Sequence, residues 1–305
     1  MYDKILVPLD GSELAEVTLW YGARLASRLH ATLTLLYVAS HDELTSPHMY
    51  ECYLKYTGDR VKAEADRSAA ETGGGEIAID YKILRGDPAE EIVDYANKAK
   101  IDLIIMSTQG KSGMRRWALG NVANKVLRAT RKQVLLIRAK GAEPDVYKEK
   151  LVKVLVPVDG SRESESILRF VTYMAAELNL EVTLFHMWVR GRETYPTSMV
   201  SLKRIEKIRK QESGYIERLG ARLKGKGLNV KAVFGEVWQN EEAEEIIKLA
   251  EEGQFSLVAM ATHGRSGVHR WIFGSNADKV LNEGSTPLLL VRPIKGKKKA
   301  TRSGG

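Results

Sequence analysis

Short aliphatic runs separated by longer amphipathic stretches set the rhythm of this chain. Ile5 to Val7, Leu33 to Val38, Ile77 to Leu84, Leu103 to Met106 and Val134 to Ile137 have the length of strands and end at polar or turn residues. Several are apolar at consecutive positions, as strands must be when helices cover both faces of a parallel sheet. Between them the spacing turns helical, and Leu14, Val17, Ala23, Ala26 and Leu29 mark one face of a helix over Ser12 to Leu29. A helix over Pro88 to Lys100 opens with a proline suited to the first turn, then Glu90 and Glu91, whose charge favours a helix N-terminus. The order βαβαβαβαβ predicts an α/β fold: an open, mostly parallel sheet with helices on both faces and a ligand crevice at the carboxyl ends of the strands.

The pattern occurs twice. Lys4-Ile5-Leu6-Val7-Pro8-Leu9-Asp10-Gly11-Ser12 returns as Lys153-Val154-Leu155-Val156-Pro157-Val158-Asp159-Gly160-Ser161, with seven of nine positions identical at an offset of 149. Leu33 to Val38 matches Val182 to Met187 at the same offset. Five extra residues between Glu236 and Ala243 then move the offset to 154, and Gly110 to Leu127 aligns with Gly264 to Leu281 with ten of eighteen positions identical. The copies are least alike over Ala39 to Gly74 and Val189 to Gly227. Pro47, Tyr50, Tyr53 and Tyr56 stand in the first of these stretches, and a Lys/Arg-rich helix is expected in the second. Specific interactions, or simple drift of exposed helices after duplication, account equally for that divergence. The expected division is 1–139 and 151–294 as two domains, 140–150 as a linker and 295–305 as a disordered basic tail.

Composition narrows the function classes. The 305 residues suit two domains of about 150 each, and 44% apolar with 28% charged residues excludes a disordered or collagen-like chain. No run approaches the roughly 18 apolar residues of a membrane span, and Asp3-Lys4 ahead of the first strand does not resemble a signal peptide, so a cytoplasmic protein is expected. The single Cys52 offers neither a disulfide nor a thiolate metal site. The net charge of +8 falls to +3 without Lys295, Lys297, Lys298, Lys299 and Arg302, so a nucleic-acid partner is not expected.

Two loops in each copy carry candidate chemistry. Pro8-Leu9-Asp10-Gly11-Ser12 and its twin Pro157-Val158-Asp159-Gly160-Ser161 place a carboxylate, a permissive glycine and a capping serine after the first strand. The Asp either only shapes that turn or accepts hydrogen bonds from a nucleoside. The loop after the fourth strand reads Met106-Ser107-Thr108-Gln109-Gly110, nine residues, Gly120-Asn121 in copy one. In copy two it is Met260-Ala261-Thr262-His263-Gly264, nine residues, Gly274-Ser275, opening a helix over Asn276 to Leu281. Glycines let a backbone approach an anion, and amides at a helix N-terminus favour phosphate. Lys111, Arg115 and Arg116, with Arg265, His269 and Arg270 in copy two, either add charge there or are solvated. Gly110-Lys111-Ser112 is not a P-loop, since that motif needs glycine where Ile105 stands. His263 is the best proton-transfer candidate, but copy one has Gln109, which favours a hydrogen-bonding role.

Both halves resemble the universal stress protein family in its tandem form. The family's ATP-binding branch carries Gly, two residues, Gly, nine residues, then Gly followed by Ser or Thr. Copy two departs only at Ala261; copy one departs at Ser107 and Asn121. The resemblance implies two tandem Rossmann-like domains, each an open five-stranded parallel sheet between helices. It implies ATP, with or without Mg2+, bound more surely in the second half. Asp10 and Asp159 would then lie on the ribose or adenine side, and Val38 and Met187 would present backbone to adenine. Gly110, Gly120 and Asn121, with Gly264, Gly274 and Ser275, would cradle phosphates. Pro8, Met106, Ser107 and Val122, with Pro157, Met260, Ala261 and Asn276, complete the expected cofactor-binding set. Family domains pair through their last strands, so Val134 to Arg138 is expected beside Leu288 to Arg292, with homo-oligomers and an unknown protein partner also open. No nucleophile-base pair or His-Glu metal motif stands out, so no catalytic residue is assigned. A nucleotide-dependent stress-response regulator is expected; a weak ATPase or phosphotransferase, and a scaffold that does not bind nucleotide, remain alternatives.

Overall fold

The computed structural model describes residues 2–40, 46–72, 74–109, 119–138, 151–190, 199–263 and 273–293. The first half runs β1 (Lys4–Leu9), α1 (Glu13–Leu29), β2 (Thr32–Ala39), α2 (Pro47–Thr72), β3 (Ile79–Arg85), α3 (Pro88–Lys98), β4 (Leu103–Ser107), α4 (Asn121–Ala129) and β5 (Gln133–Ile137). The second runs β6 (Lys153–Pro157), α5 (Arg162–Glu165), α6 (Leu168–Leu178), β7 (Glu181–Arg190), α7 (Met199–Lys224), β8 (Val230–Trp238), α8 (Glu242–Glu252), β9 (Leu257–Ala261), α9 (Ser275–Glu283) and β10 (Leu288–Val291). The expected linker and tail, 140–150 and 295–305, lie outside the described residues.

Most element ends move by one or two residues from the sequence reading, and three of the differences are instructive. β3 begins at Ile79 rather than Ile77 and reaches Arg85. α3 stops at Lys98, because Lys100 turns left-handed with φ 57°. The last helix is longer than expected, Ser275–Glu283, with Gly274 as its N-cap.

The ten strands form one sheet in the order β3-β2-β1-β4-β5-β10-β9-β6-β7-β8. Neighbours within each half are parallel, with Lys4 opposite Thr32 in β1–β2 and Lys153 opposite Glu181 in β6–β7. β5 and β10 meet antiparallel, Leu288 facing Leu136 and Leu290 facing Val134. The strand period of two divides the core. Ile5, Val7, Leu33 and Leu35 pack under α1 and α2, while Leu6, Leu36, Ile104 and Met106 pack under α3 and α4. Both layers continue into the second half under α6 and α7 and under α8 and α9.

One helix did not survive duplication intact. α1 runs 17 residues, but its counterpart splits into α5 and α6. The hydroxyls of Ser164 and Ser166 donate to the carbonyls of Ser161 and Glu163, competing with the helical ladder at positions where α1 carries the apolar Ala15 and Val17.

Candidate functional site

The turn after the first strand of each half has the same construction. Gly11 and Gly160 take φ 79° and 81°, a left-handed conformation that glycine adopts without strain. That turn brings Asp10 Oδ1 within reach of the Ser12 amide at 3.0 Å and hydroxyl at 2.6 Å, both of which donate to it. Asp159 Oδ1 accepts from Ser161 with the same two distances. Each serine then caps the following helix, accepting from Ala15 N–H at 3.2 Å and Ser164 N–H at 3.0 Å. The carboxylates therefore shape the turn, and that turn stands at the mouth of a crevice.

The loop after the fourth strand completes the crevice. Thr262 N–H donates to Val291 O at 2.9 Å, and Gly274 N–H donates to Thr262 O at 2.7 Å, which pins the start of α9 beside the end of β9. The first ladder bond of that helix runs from Asp278 N–H to Gly274 O, at 2.9 Å. The amides of Ser275, Asn276 and Ala277 therefore have no acceptor within the helix, and Gly274 carries no side chain to cap them. In the first half Thr108, Gly120 and Asn124 repeat these bonds at 3.0, 2.7 and 2.9 Å, leaving the amides of Asn121, Val122 and Ala123 in the same state. Three N–H groups at the positive end of a helix dipole are suited to an anion such as phosphate.

Each crevice encloses a cavity, about 290 Å³ in the second half and about 280 Å³ in the first. Pro157, Asp159, Met187, Met260, Ala261, Gly274, Ser275 and Asn276 all line the second. Pro8, Asp10, Val38, Met106, Ser107, Gly120, Asn121 and Val122 all line the first. Gly110 and Gly264 lie outside the described residues, as do Lys111, Arg115, Arg116, Arg265, His269 and Arg270. Ser107, at the first glycine position of the motif, donates its hydroxyl to Gln109 O, whereas Ala261 has no such group. His263 lines the second cavity with its Nδ1 3.0 Å from Thr262 Oγ1.

Sequence reading missed the polar wall of the second cavity. His186 is 1% exposed, with Nδ1 2.8 Å from Val158 O and Nε2 2.5 Å from Glu212 Oε2. A carbonyl oxygen only accepts, so Nδ1 is the donor toward Val158 O, and Nε2 faces the Glu212 carboxylate. In the first half Tyr37 takes the position of His186 and stacks on Tyr50, ring centroids 4.5 Å apart. Gln239 and Asn240 from the turn after β8 and Glu242 at the start of α8 line the second cavity, where the first half offers Pro88, while Ile92 and Ile246 are equivalent in the two walls. The insertion was the available signal for that turn, although the strand register, with Leu84 on Val38 and Gly235 on Met187, leaves three extra residues rather than five ahead of Glu242; Lys279 and Ala277, further into α9, had no signal beyond helical spacing.

Behind each cavity sits a buttress common to both halves. Tyr53 Oη donates to Glu16 at 3.1 Å and Arg60 donates to the same carboxylate at 2.7 Å. Tyr215 and Arg222 do so to Glu165, at 2.9 and 3.0 Å. Burial, reinforced by the adjacent carboxylate, pushes both tyrosine hydroxyls above their ordinary range, so they remain donors.

The sequence profile described as the universal stress protein family matches residues 1–138 and again 151–292. A universal stress protein of Methanocaldococcus jannaschii is 31% identical over 144 residues, 45% of this chain and 83% of that protein. One from Mycobacterium bovis is 24% identical over 297 residues, 94% of this chain and 96% of the relative. Among solved structures, a universal stress protein from Archaeoglobus fulgidus covers 96% of this chain and 99% of its own, with 17% identity and a TM-score of 0.63, a likeness of fold.

Proposed function

We propose, from the premise that the chain belongs to the universal stress protein family, that it binds ATP and serves in the cytoplasm as a nucleotide-dependent stress-response regulator. The observation that carries this reading is the N-terminus of α9. Three amides without a helical acceptor or a side-chain cap open into a cavity whose far wall holds the Asp159 turn and the end of β7. Strand order supports a direction for the ligand: α9 follows β9, while Met187 and the turn after β8 lie on the opposite side of β6. Phosphates on α9 therefore point the base toward Met187.

The second half binds more tightly in this account. Ser275 adds a hydroxyl that Asn121 lacks, and Ala261 leaves its position small where Ser107 is turned into the loop. Among the described residues no three His, Cys, Asp or Glu side chains converge on a cation-sized site. A Mg2+ arriving with ATP would then keep phosphate and water ligands, with at most a carboxylate such as Asp159 beside it. The role is binding rather than turnover. The antiparallel contact of β5 with β10 is part of the same proposal: it joins the halves in solution as one unit.

Calorimetric titration of the intact chain with ATP, with and without Mg2+, tests the reading. Saturable binding is expected in both conditions. Absence of heat at saturating ATP, with no nucleotide found by mass spectrometry in the purified protein, would overturn it.

A further inference from the structure

The two candidate phosphate helices are each tied down at the far end by the other half. Arg138, directly after β5, donates to Leu281 O in the last turn of α9. Arg292, directly after β10, donates through Nη1 to Arg128 O in the last turn of α4, at 3.2 Å. Both acceptors belong to the final carbonyls that a helix cannot satisfy internally, and both arginines place a cation at the negative end of the helix dipole. They stand at equivalent positions of the two copies, and the straps are exchanged between the halves.

Each arginine is also joined to the phosphate loop of its own half. Thr108 N–H donates to the carbonyl of Ile137, the residue before Arg138, and Thr262 N–H donates to the carbonyl of Val291, the residue before Arg292. Thr108 O and Thr262 O in turn hold the amides of Gly120 and Gly274 at the cradles. α4 and α9 each have nine residues, so each is a rod of about 13 Å. From one cradle the connection passes through a threonine, the end of a last strand and an arginine to the rod whose other end is the second cradle.

We infer that Arg138 is a positioning residue for the phosphate cradle of the second half and Arg292 for that of the first, so that each nucleotide site depends on the opposite half. This rests on the nucleotide reading above and on the pairing of β5 with β10. Losing a strap leaves the three amides without a helical acceptor as before but lets the helix, and the amides with it, shift along its axis, which weakens phosphate binding at its N-terminus.

The test is hydrogen–deuterium exchange on the full chain during an ATP titration, following peptides over 273–283 and 119–129 separately. Arg138→Met is expected to raise the ATP needed to half-protect the second cradle by about three- to tenfold, the scale of a cation at a helix C-terminus, while the first cradle keeps its wild-type value. Arg292→Met should give the reverse pattern. If Arg138→Met does not fold, Arg138→Lys, which keeps the charge without the guanidinium fork, should show the same crossed pattern at smaller size. Equal weakening of both cradles marks the arginines as general structural supports and overturns the inference, as does weakening confined to the mutated half or no change. Wild-type protein whose cradles ATP leaves unprotected defeats the nucleotide reading itself; protected wild-type cradles without the crossed loss defeat this inference alone.

Discussion

The two halves keep the same backbone at their crevices and differ in what lies behind and around it. Both hold an Asp-Gly-Ser turn with matching distances, an uncapped helix N-terminus, and a Tyr-Glu-Arg buttress. The first half backs this frame with stacked Tyr37 and Tyr50, the second with an imidazole between a carbonyl and the Glu212 carboxylate. Backbone geometry suited to an anion is the same in both halves, while the side chains behind and around it differ. The halves are therefore each other's control.

The sharpest break is Gly274→Val. A Cβ at Gly274 would lie 3.6 Å from Thr262 O, ordinary contact, so the fold accepts it while the branched side chain obstructs phosphate. ATP affinity at the second cradle should fall at least about 30-fold, roughly 2 kcal/mol and the scale of a charge-assisted hydrogen bond. Gly120→Val should also cost stability, because its Cβ would come within 3.1 Å of Thr108 O. Calorimetry and thermal unfolding on both variants separate these effects.

Next comes the wall. His186→Tyr leaves Glu212 facing a phenol and should destabilise the protein by about 2 kcal/mol in denaturant unfolding. His186→Tyr with Glu212→Tyr imports the pair of the first half and should recover most of that loss; a double variant no more stable than the single one would show that the two backings are not interchangeable. Smaller still, Ser275→Ala should weaken ATP at the second cradle by about 1 kcal/mol, and Asn121→Ser should strengthen the first by a similar amount.

The smallest effect concerns the helices beside the crevices. Asp87 caps α3 by accepting from Ala89 and Glu90 amides at 2.9 and 3.2 Å, whereas Glu241 gives α8 no side-chain cap. Asp87→Ala should cost about 0.5–1 kcal/mol in urea unfolding and Glu241→Ala almost nothing. The Lys125 ammonium, then the Glu90 amide, hold the Asp87 carboxyl below its usual range. Its contribution is thus complete above the ordinary carboxylate range and fades as pH falls through the lowered folded-state value, so the Asp87→Ala penalty should shrink in acid.

Much of this comparison was legible before any coordinates. Aliphatic runs and the repeated Pro-x-Asp-Gly-Ser segments located the strands and turns, because buried parallel strands and positive-φ glycines admit few residue types. The correspondence of α2 with α7 was hidden. Glu16 and Glu165 are 149 residues apart, but Tyr53 and Tyr215, Arg60 and Arg222, and Leu54 and Ile216 are 162 apart. Most of the extra length before the helix is removed again after it, so the reading at a fixed offset compared residues that do not correspond and found little likeness. Tyr50 thereby aligns with Glu212, a partner for His186 that only three-dimensional proximity reveals. The break between α5 and α6 was missed because serines at helical spacing do not disclose which carbonyls their hydroxyls will claim.

The central claim is that the α9 amides hold the phosphates of a nucleotide, and more tightly than those of α4. Amide-resolved nuclear magnetic resonance during an ATP titration tests it most directly. The account predicts that the Ser275, Asn276 and Ala277 signals shift first and saturate, with Asn121, Val122 and Ala123 following at higher ATP. Unmoved α9 signals at saturating ATP, or α4 signals that saturate first, would contradict it.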